Sequence, residues 1–390
     1  MNRSGQPRLR RLLPDAVLVD ASTLVRGQAL VVDGGRVVGL DDPIHPEVER
    51  FPGELWCAAP VMAHAHLESF DAPAATWPRT GFAAWAEALV EWRRGPRRDD
   101  AESADATLDL LGRGGCGLVL AHVGGELGSE SAAAAGRGRP ELICLRELFQ
   151  PDPELAEAAL AEARGAPVAL HSPFGVSSDL ARRAFAAGGL ISIHLGEHPE
   201  ERQFLATGAG PLADLFRRRD RPVARQRWDS PVDWLEDVGG ARRGTLAVHC
   251  GDLGAAELTR LHVAEVGLVW CPGTHRWFQR PPPAFLDADG PLPALGCDSL
   301  ASNETLDPMR EFRLAHAALP AAGAQAWWRA ATETGARLLG REELGHLRPG
   351  ADCRCLRFRP GRSLASAAEA CSLLSAVPPL RPLGPAGLPA

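Results

Sequence analysis

Five of the chain's twelve histidines close a short apolar run, and a sixth stands two residues beyond one of them. His64 and His66 follow the first run, in Ala63-His64-Ala65-His66. His122, His171, His194 and His249 close four later runs, and Asp298 closes another. Neutral imidazoles and a carboxylate are ligands for a divalent transition metal. Residues two apart on an extended chain face the same way, with Cβ atoms about 7 Å apart, so His64 and His66 can grip one ion. An HxH pair by itself is equally a polar strand end. Joined by His194, His249 and Asp298, each at the end of its own run, it points to a metal site. Scattered core histidines would not keep this register. Glu197 lies three residues after His194, just past the strand, where a carboxylate could carry a proton to a substrate. It could as well be an acid favouring the dipole of a helix starting near Pro199, and spacing leaves both readings open.

The elements that would position these residues alternate. Apolar runs recur near residues 59–63, 117–121, 141–145, 167–170, 190–193, 245–248, 267–271 and 294–297, with helical spacing between them, as in Ser177–Ala187 and Ala255–Ala264. Another helix, Gly323–Leu339, follows the last run. Eight strands alternating with helices predict a (β/α)8 TIM barrel, whose strand C-termini converge on one mouth. The competing open doubly wound sheet needs a Gly-rich phosphate turn after its first strand, and none stands there. Before the barrel, residues 15–57 read as short strands with a hairpin turn at Asp33-Gly34-Gly35. After it, Gly345–Asp352 turns into a last strand, Cys353–Phe358, expected to rejoin that module. The expected organisation is the first part of a small β-sandwich at 1–57, the barrel at 58–344, the rest of the sandwich at 345–365, and an Ala/Pro-rich tail at 366–390 whose earlier part forms one helix.

Composition narrows the function. The 390 residues carry a net charge of −7 and are 45% hydrophobic and 23% charged. That is a globular balance without a basic footprint for nucleic acid. No apolar run reaches membrane-spanning length. The arginine-rich start, Met1–Leu13, has no apolar core of a secretory signal. Nine scattered cysteines without a CxxC pair fit reduced core thiols in a cytoplasmic protein. The chain has no lysine and no tyrosine, which excludes a Schiff-base lysine, a phosphate-loop lysine and a tyrosine acid.

These segments together resemble the amidohydrolase superfamily, in its deaminase and chlorohydrolase branch. The resemblance rests on Ala63-His64-Ala65-His66-Leu67-Glu68, on His171-Ser172-Pro173-Phe174-Gly175-Val176-Ser177, and on Ile193-His194-Leu195-Gly196-Glu197. It rests further on Val248-His249-Cys250, Cys271-Pro272 and Gly296-Cys297-Asp298-Ser299-Leu300-Ala301-Ser302-Asn303. It implies one divalent ion, Zn2+ or Fe2+, on His64, His66, His194 and Asp298. It implies catalytic roles for Asp298, for His249 in orienting the attacking water, and for Glu197 in protonating the substrate. It places Glu68, His171, Ser302 and Asn303 at the substrate. In the two-metal branch a carboxylated lysine ends strand four; here that strand ends at His171 and there is no lysine, which favours one metal and deamination of a heteroaromatic ring. The helix stripe Phe82, Trp85, Leu89 and Trp92 is similar to the aminofutalosine deaminase group, although such a stripe is usually packing. Trp270, Trp277 and Phe278 are ring-stacking candidates or core.

The implied protein is a metal-dependent hydrolase of non-peptide carbon–nitrogen bonds acting on a small molecule such as an aminopurine nucleoside, with homodimerisation open. The alternatives are opening of a cyclic amide or loss of chloride from a triazine-type ring, and a non-catalytic barrel scaffold, which would have broken ligand positions. A metal-storing module would show surface histidine clusters instead. Two departures stand out. Family members usually read CPRSN after strand seven where this chain reads Cys271-Pro272-Gly273-Thr274-His275, and His122 has no counterpart in the pattern.

Overall fold

The computed structural model describes residues 9–124, 138–163, 165–223 and 227–380. The chain opens on five strands: β1 (Arg10–Asp20), β2 (Thr23–Arg26), β3 (Ala29–Asp33), β4 (Arg36–Asp41) and β5 (Val48–Ala58). Gly34 and Gly35 take φ of +56° and +86° between β3 and β4, the turn that the Asp-Gly-Gly signal predicts. Eight parallel strands follow in spatial sequence: β6 (Val61–His66), β7 (Leu118–Val123), β8 (Glu141–Leu148), β9 (Val168–Leu170), β10 (Ile191–Leu195), β11 (Thr245–His249), β12 (Gly267–Trp270) and β13 (Ala294–Leu295). The last strand, β14 (Cys355–Phe358), returns to pair antiparallel with β5, so the small sheet is built from both ends of the chain in the order β14-β5-β1-β3-β4, with β2 on β1. The fold is a (β/α)8 barrel with this separate small sheet beside it.

The barrel closes between its first and last strands. Ala65 and Asp298 form a parallel bridge, the Cys297 amide donates to the His64 carbonyl at 2.9 Å, and the His66 amide donates to the Asp298 carbonyl at 3.0 Å. Three of the metal-ligand candidates, His64, His66 and Asp298, therefore sit on the seam. Strand parity sorts the side chains. Leu118, Leu120, Leu246, Val248 and Ala294 fill the interior, plugged below by Ala336, Leu339 and Leu344. Met62, Val119, Ile193, Ala247 and Leu268 face outward against the helices. Those helices follow ordinary rules: Ser178–Ala187 starts on Ser177, whose hydroxyl accepts from the Leu180 amide at 3.2 Å, and buries Leu180, Ala181, Ala184 and Phe185.

Several segments differ in detail from expectation. The helix expected over Gly323–Leu339 is interrupted by a π-helical turn at Ala330–Thr334. β8 runs to Leu148, three residues past the expected end, because its charged tail still alternates about the barrel wall. The helix expected in the earlier part of 366–390 is Ala367–Leu374, which packs Cys371 and Leu374 into the core; residues 381–390 lie outside the described residues. All nine cysteines are free and eight are buried. Among the described residues no helix is long and apolar enough to cross a membrane.

Candidate active site

Two departures from parity bring the histidines inward. In β6 the register with β7 slips between Met62 and Ala65. Val61 and Ala63 point inside below the slip, and His64 and His66, of opposite parity, do so above it. In β11, Ala247 faces outward and parity would send His249 the same way. His249 instead has φ of +73°, and its ring lines the cavity. Asp298 also lies in the left-handed region, at φ +57°. A non-glycine residue there costs of order 1–3 kcal/mol, and such strain gathers at working sites.

Four ligand atoms converge. His194 Nε2 is 3.2 Å from His66 Nε2 and 3.4 Å from His64 Nε2. Asp298 Oδ1 is 3.5 Å from His64 Nε2 and 3.7 Å from His66 Nε2. The His194 tautomer is set by its other nitrogen, since Nδ1 donates to the His171 carbonyl at 2.6 Å, leaving Nε2 as the lone pair. Asp298 is held likewise: the hydroxyls of Thr274 and Ser302 donate to Oδ2 at 2.8 and 2.7 Å, leaving Oδ1 for the imidazoles. Burial drives the imidazoles toward their neutral, ligating form. It holds His64 and His66 well below the ordinary histidine range, with neighbouring rings adding, and pushes His194 down to about 3 and His249 to about 4. Burial would raise Asp298, but His249, His66, the Ser302 hydroxyl and His194 outweigh it and keep the carboxylate below its usual range.

Glu197 sits beside this cluster, with Oε2 3.8 Å from His249 Nε2, and lines the cavity. The helix Pro199–Thr207 is capped by His198, not by Glu197. Burial first, then Asp298 and Glu201, raise the Glu197 carboxyl well above the carboxylate range, which favours its protonated form. His171 also lines the cavity, its Nδ1 2.8 Å from the Ser172 hydroxyl.

The remaining residues expected at the substrate lie elsewhere. Glu68 is buried with Oε1 accepting from the Gly124 amide at 2.7 Å, a tie between the ends of β6 and β7, and it does not line the cavity. Ser302 is turned to Asp298. Asn303 donates to the Cys297 carbonyl at 3.0 Å and to Glu311 Oε1 at 2.8 Å, bracing the loop that carries Asp298. Trp270, Trp277 and Phe278 are buried outside the cavity lining, hence core. His275 meets the Pro281 carbonyl at 2.6 Å and is not at the cavity.

Gly273 has a reason of its own. Its amide donates to Glu311 Oε2 at 2.7 Å, and a Cβ there would stand 2.3 Å from Asn303 Nδ2 and 2.5 Å from Glu311 Oε1. The side chains of Asn303 and Glu311 fill the space that a larger residue would need. Gly273→Ala is expected to destabilise the fold by about 1–3 kcal/mol, read as a lowered thermal midpoint. An unchanged midpoint would contradict this account of the glycine.

One site residue, Glu147, escaped the sequence reading, and another, His122, was read as a strand end without a role. His122 is wholly buried, 4.5 Å ring to ring from His64, and neither ring nitrogen has a hydrogen-bond partner. Glu147, near the end of β8, lines the cavity with Oε1 3.5 Å from His122 Nδ1 and 3.9 Å from His194 Nδ1. It shares the inward parity of Leu145, so a longer strand would have pointed to it. The cavity above these groups, about 360 Å³, is of small-molecule size. Its walls include Phe82, Trp85 and Leu89 of the helix Phe82–Arg94, together with Phe149, Phe174 and Phe216. Trp92 of the same stripe packs on Trp77 instead.

No family model matches the chain. It is 30% identical over 338 residues to an aminodeoxyfutalosine deaminase of Deinococcus radiodurans, covering 76% of each chain. Its fold is similar to that of the aminofutalosine deaminase of Helicobacter pylori, at a TM-score of 0.80 and 17% identity over 97% of this chain and 99% of that one. It is also similar to an adenosine deaminase of Xanthomonas campestris with bound zinc, at a TM-score of 0.70 and 18% identity over 98% and 92%.

Proposed function

The chain belongs to the amidohydrolase-superfamily deaminases, together with the aminodeoxyfutalosine deaminase to which it is 30% identical, and from that premise we propose that it hydrolyses the exocyclic carbon–nitrogen bond of an aminopurine nucleoside and releases ammonia. The observation that carries this reading is the convergence of three imidazole nitrogens and one carboxylate oxygen beside the mostly buried Glu197 at the cavity.

The residues fit a single divalent ion. Two lone pairs 3.2 Å apart repel unless a cation or proton lies between them, and His194 has its proton on the other nitrogen. Four of the six ligand separations, at 3.2–3.7 Å, lie near the edge of a tetrahedron with arms of about 2.1 Å, roughly 3.4 Å. His64, His66, His194 and Asp298 would hold the ion. When bound, it supplies a nucleophile at neutral pH by lowering the pKa of water. Zinc is supported by the donor set and by the zinc-bound adenosine deaminase; Fe2+ suits the same ligands.

The chain's own groups do the rest. Asp298 Oδ1 and His249 take up and orient the proton of the attacking water. Glu197, carrying its proton, hands it to the ring nitrogen next to the reacting carbon, so charge is relieved as the carbon becomes tetrahedral. His171 borders the bound ring, and the aromatic walls sandwich a flat base and exclude water.

The test combines metal analysis by plasma mass spectrometry with ammonia release from adenosine-like, guanine-like and pterin-like compounds. About one equivalent of metal per chain is expected. Chelation should abolish ammonia release from the adenosine-like compounds, and zinc should restore it. Ammonia release that persists in metal-free protein, or its absence from the whole panel with metal present, would reject the reading.

A further inference from the structure

Along β7 the inward row is Leu118, Leu120 and His122. The two leucines fill the barrel interior, and parity sends His122 to the level of the metal ligands. It is the register partner of His66 on β6 and of Leu145 on β8, two residues before Glu147. One of its ring nitrogens and the ligand nitrogens of His64, His66 and His194 all lie within 4.8 Å of one another. Two ligands on opposite sides of one ion, with arms of about 2.1 Å, stand about 4.2 Å apart. The four imidazoles therefore spread scarcely wider than the shell of a single ion. His122 does not line the cavity, which puts it on the side of the ligands away from the substrate.

An ordinary core histidine has both its N–H and its lone pair matched, because an unmatched buried polar atom costs free energy. His122 is wholly buried, and neither nitrogen has a hydrogen-bond partner among the described residues. A third leucine would fill the row without that cost. One carboxylate is at hand. Glu147 Oε1, itself buried and without a hydrogen-bond partner, is 3.5 Å from His122 Nδ1. A proton on Nδ1 directed at Glu147 leaves the lone pair on Nε2. A carboxylate behind an imidazole fixes the tautomer of a metal-ligating histidine and raises its basicity.

We propose that His122, braced by Glu147, is a fifth protein ligand of the ion, added from β7 to His64, His66, His194 and Asp298. This rests on the metal reading of the proposed function. It leaves the four ligands named there in place, and the face toward the cavity open. With water on that face the ion has more donors than the tetrahedral shell usual for zinc. Fe2+ and Co2+ accept the fuller shell.

Cobalt-loaded protein tests this apart from turnover, since Co2+ is stable to air oxidation in water and varies its donor number readily. X-ray absorption fine structure at the cobalt edge counts the imidazoles on the ion. Four are expected in the unmutated protein and three in His122→Leu. His249→Asn should keep four, which separates His122 from the other nearby histidine even if His122→Leu does not fold. The visible absorption of bound cobalt should strengthen in His122→Leu as the donor number falls. Competition with a chromophoric chelator should show cobalt held about 10–100-fold more weakly in His122→Leu. Glu147→Gln should weaken it about tenfold with four imidazoles kept. Metal-free His122→Leu should melt no lower than the metal-free unmutated protein, because leucine continues the row of Leu118 and Leu120. A packing role alone predicts a lower midpoint and unchanged affinity. Three imidazoles on bound cobalt in the unmutated protein, four kept in His122→Leu, three in His249→Asn, or unchanged affinity in His122→Leu or Glu147→Gln would overturn the proposal and leave the four-ligand site standing. Cobalt that does not bind at all would overturn both.

Discussion

Asp298→Asn is expected to abolish turnover and to lower metal content together. The carboxylate has two different oxygens. Oδ2 accepts from Thr274 at 2.8 Å and Ser302 at 2.7 Å, and Oδ1 faces His64 and His66 at 3.5 and 3.7 Å. In the amide, the two hydroxyls keep the oxygen on their side and turn the NH2 toward the imidazoles. A donor then stands where an anionic ligand and proton acceptor are needed. The size is unchanged, so the fold should hold. The expected fall in kcat is about 10⁴-fold or more, from the loss of a general base with the loss of a ligand on top. Steady-state ammonia release with parallel metal analysis reads both effects. A variant that keeps its metal and works within tenfold of the unmutated protein would remove Asp298 from the site's chemistry.

Glu197→Gln separates proton delivery from metal binding. Glu197 is close to His249, at 3.8 Å, but its oxygens are not among those that meet around His64, His66 and His194. Burial raises its carboxyl well above the usual carboxylate range, toward the protonated state a general acid needs before the chemical step. Glutamine retains the shape and offers a hydrogen bond but gives up no proton. The expected fall in kcat is about 10²–10⁴-fold, with KM little changed and metal content intact. Loss of metal would move Glu197 into the ligand set, and an unchanged kcat would assign the proton transfer to another group.

The barrel and the convergence of His64, His66, His194 and Asp298 were legible before any coordinates because strand ends converge by construction. A polar residue closing an apolar run is therefore a statement about position in space. What stayed hidden depended on local geometry that spacing does not encode. His249 reaches the cavity through a positive φ, and His64 and His66 through a register slip in β6. Glu147 was missed because β8 reads as ending at residue 145, while its alternation continues to Leu148.

Side-chain roles were the hardest to read. Glu68, Ser302 and Asn303 lie in the segments that carry the family resemblance, yet each is turned to a backbone or carboxylate partner that braces the site. Trp270, Trp277 and Phe278 follow the same lesson from the apolar side: burial depends on which face packs against the helices, and all three are core. The aromatic residues that do line the cavity come from the helix after β6, from the segments after β8 and β9, and from the helix Pro211–Arg218, far apart in the chain.

The central claim is tested most directly by anomalous X-ray scattering at the zinc edge from crystals of the zinc-loaded protein. One peak is expected, within about 2.1 Å of Nε2 of His64, His66 and His194 and of Oδ1 of Asp298. A peak displaced to Glu147 and His171, or no ordered peak between the three imidazoles, would contradict it.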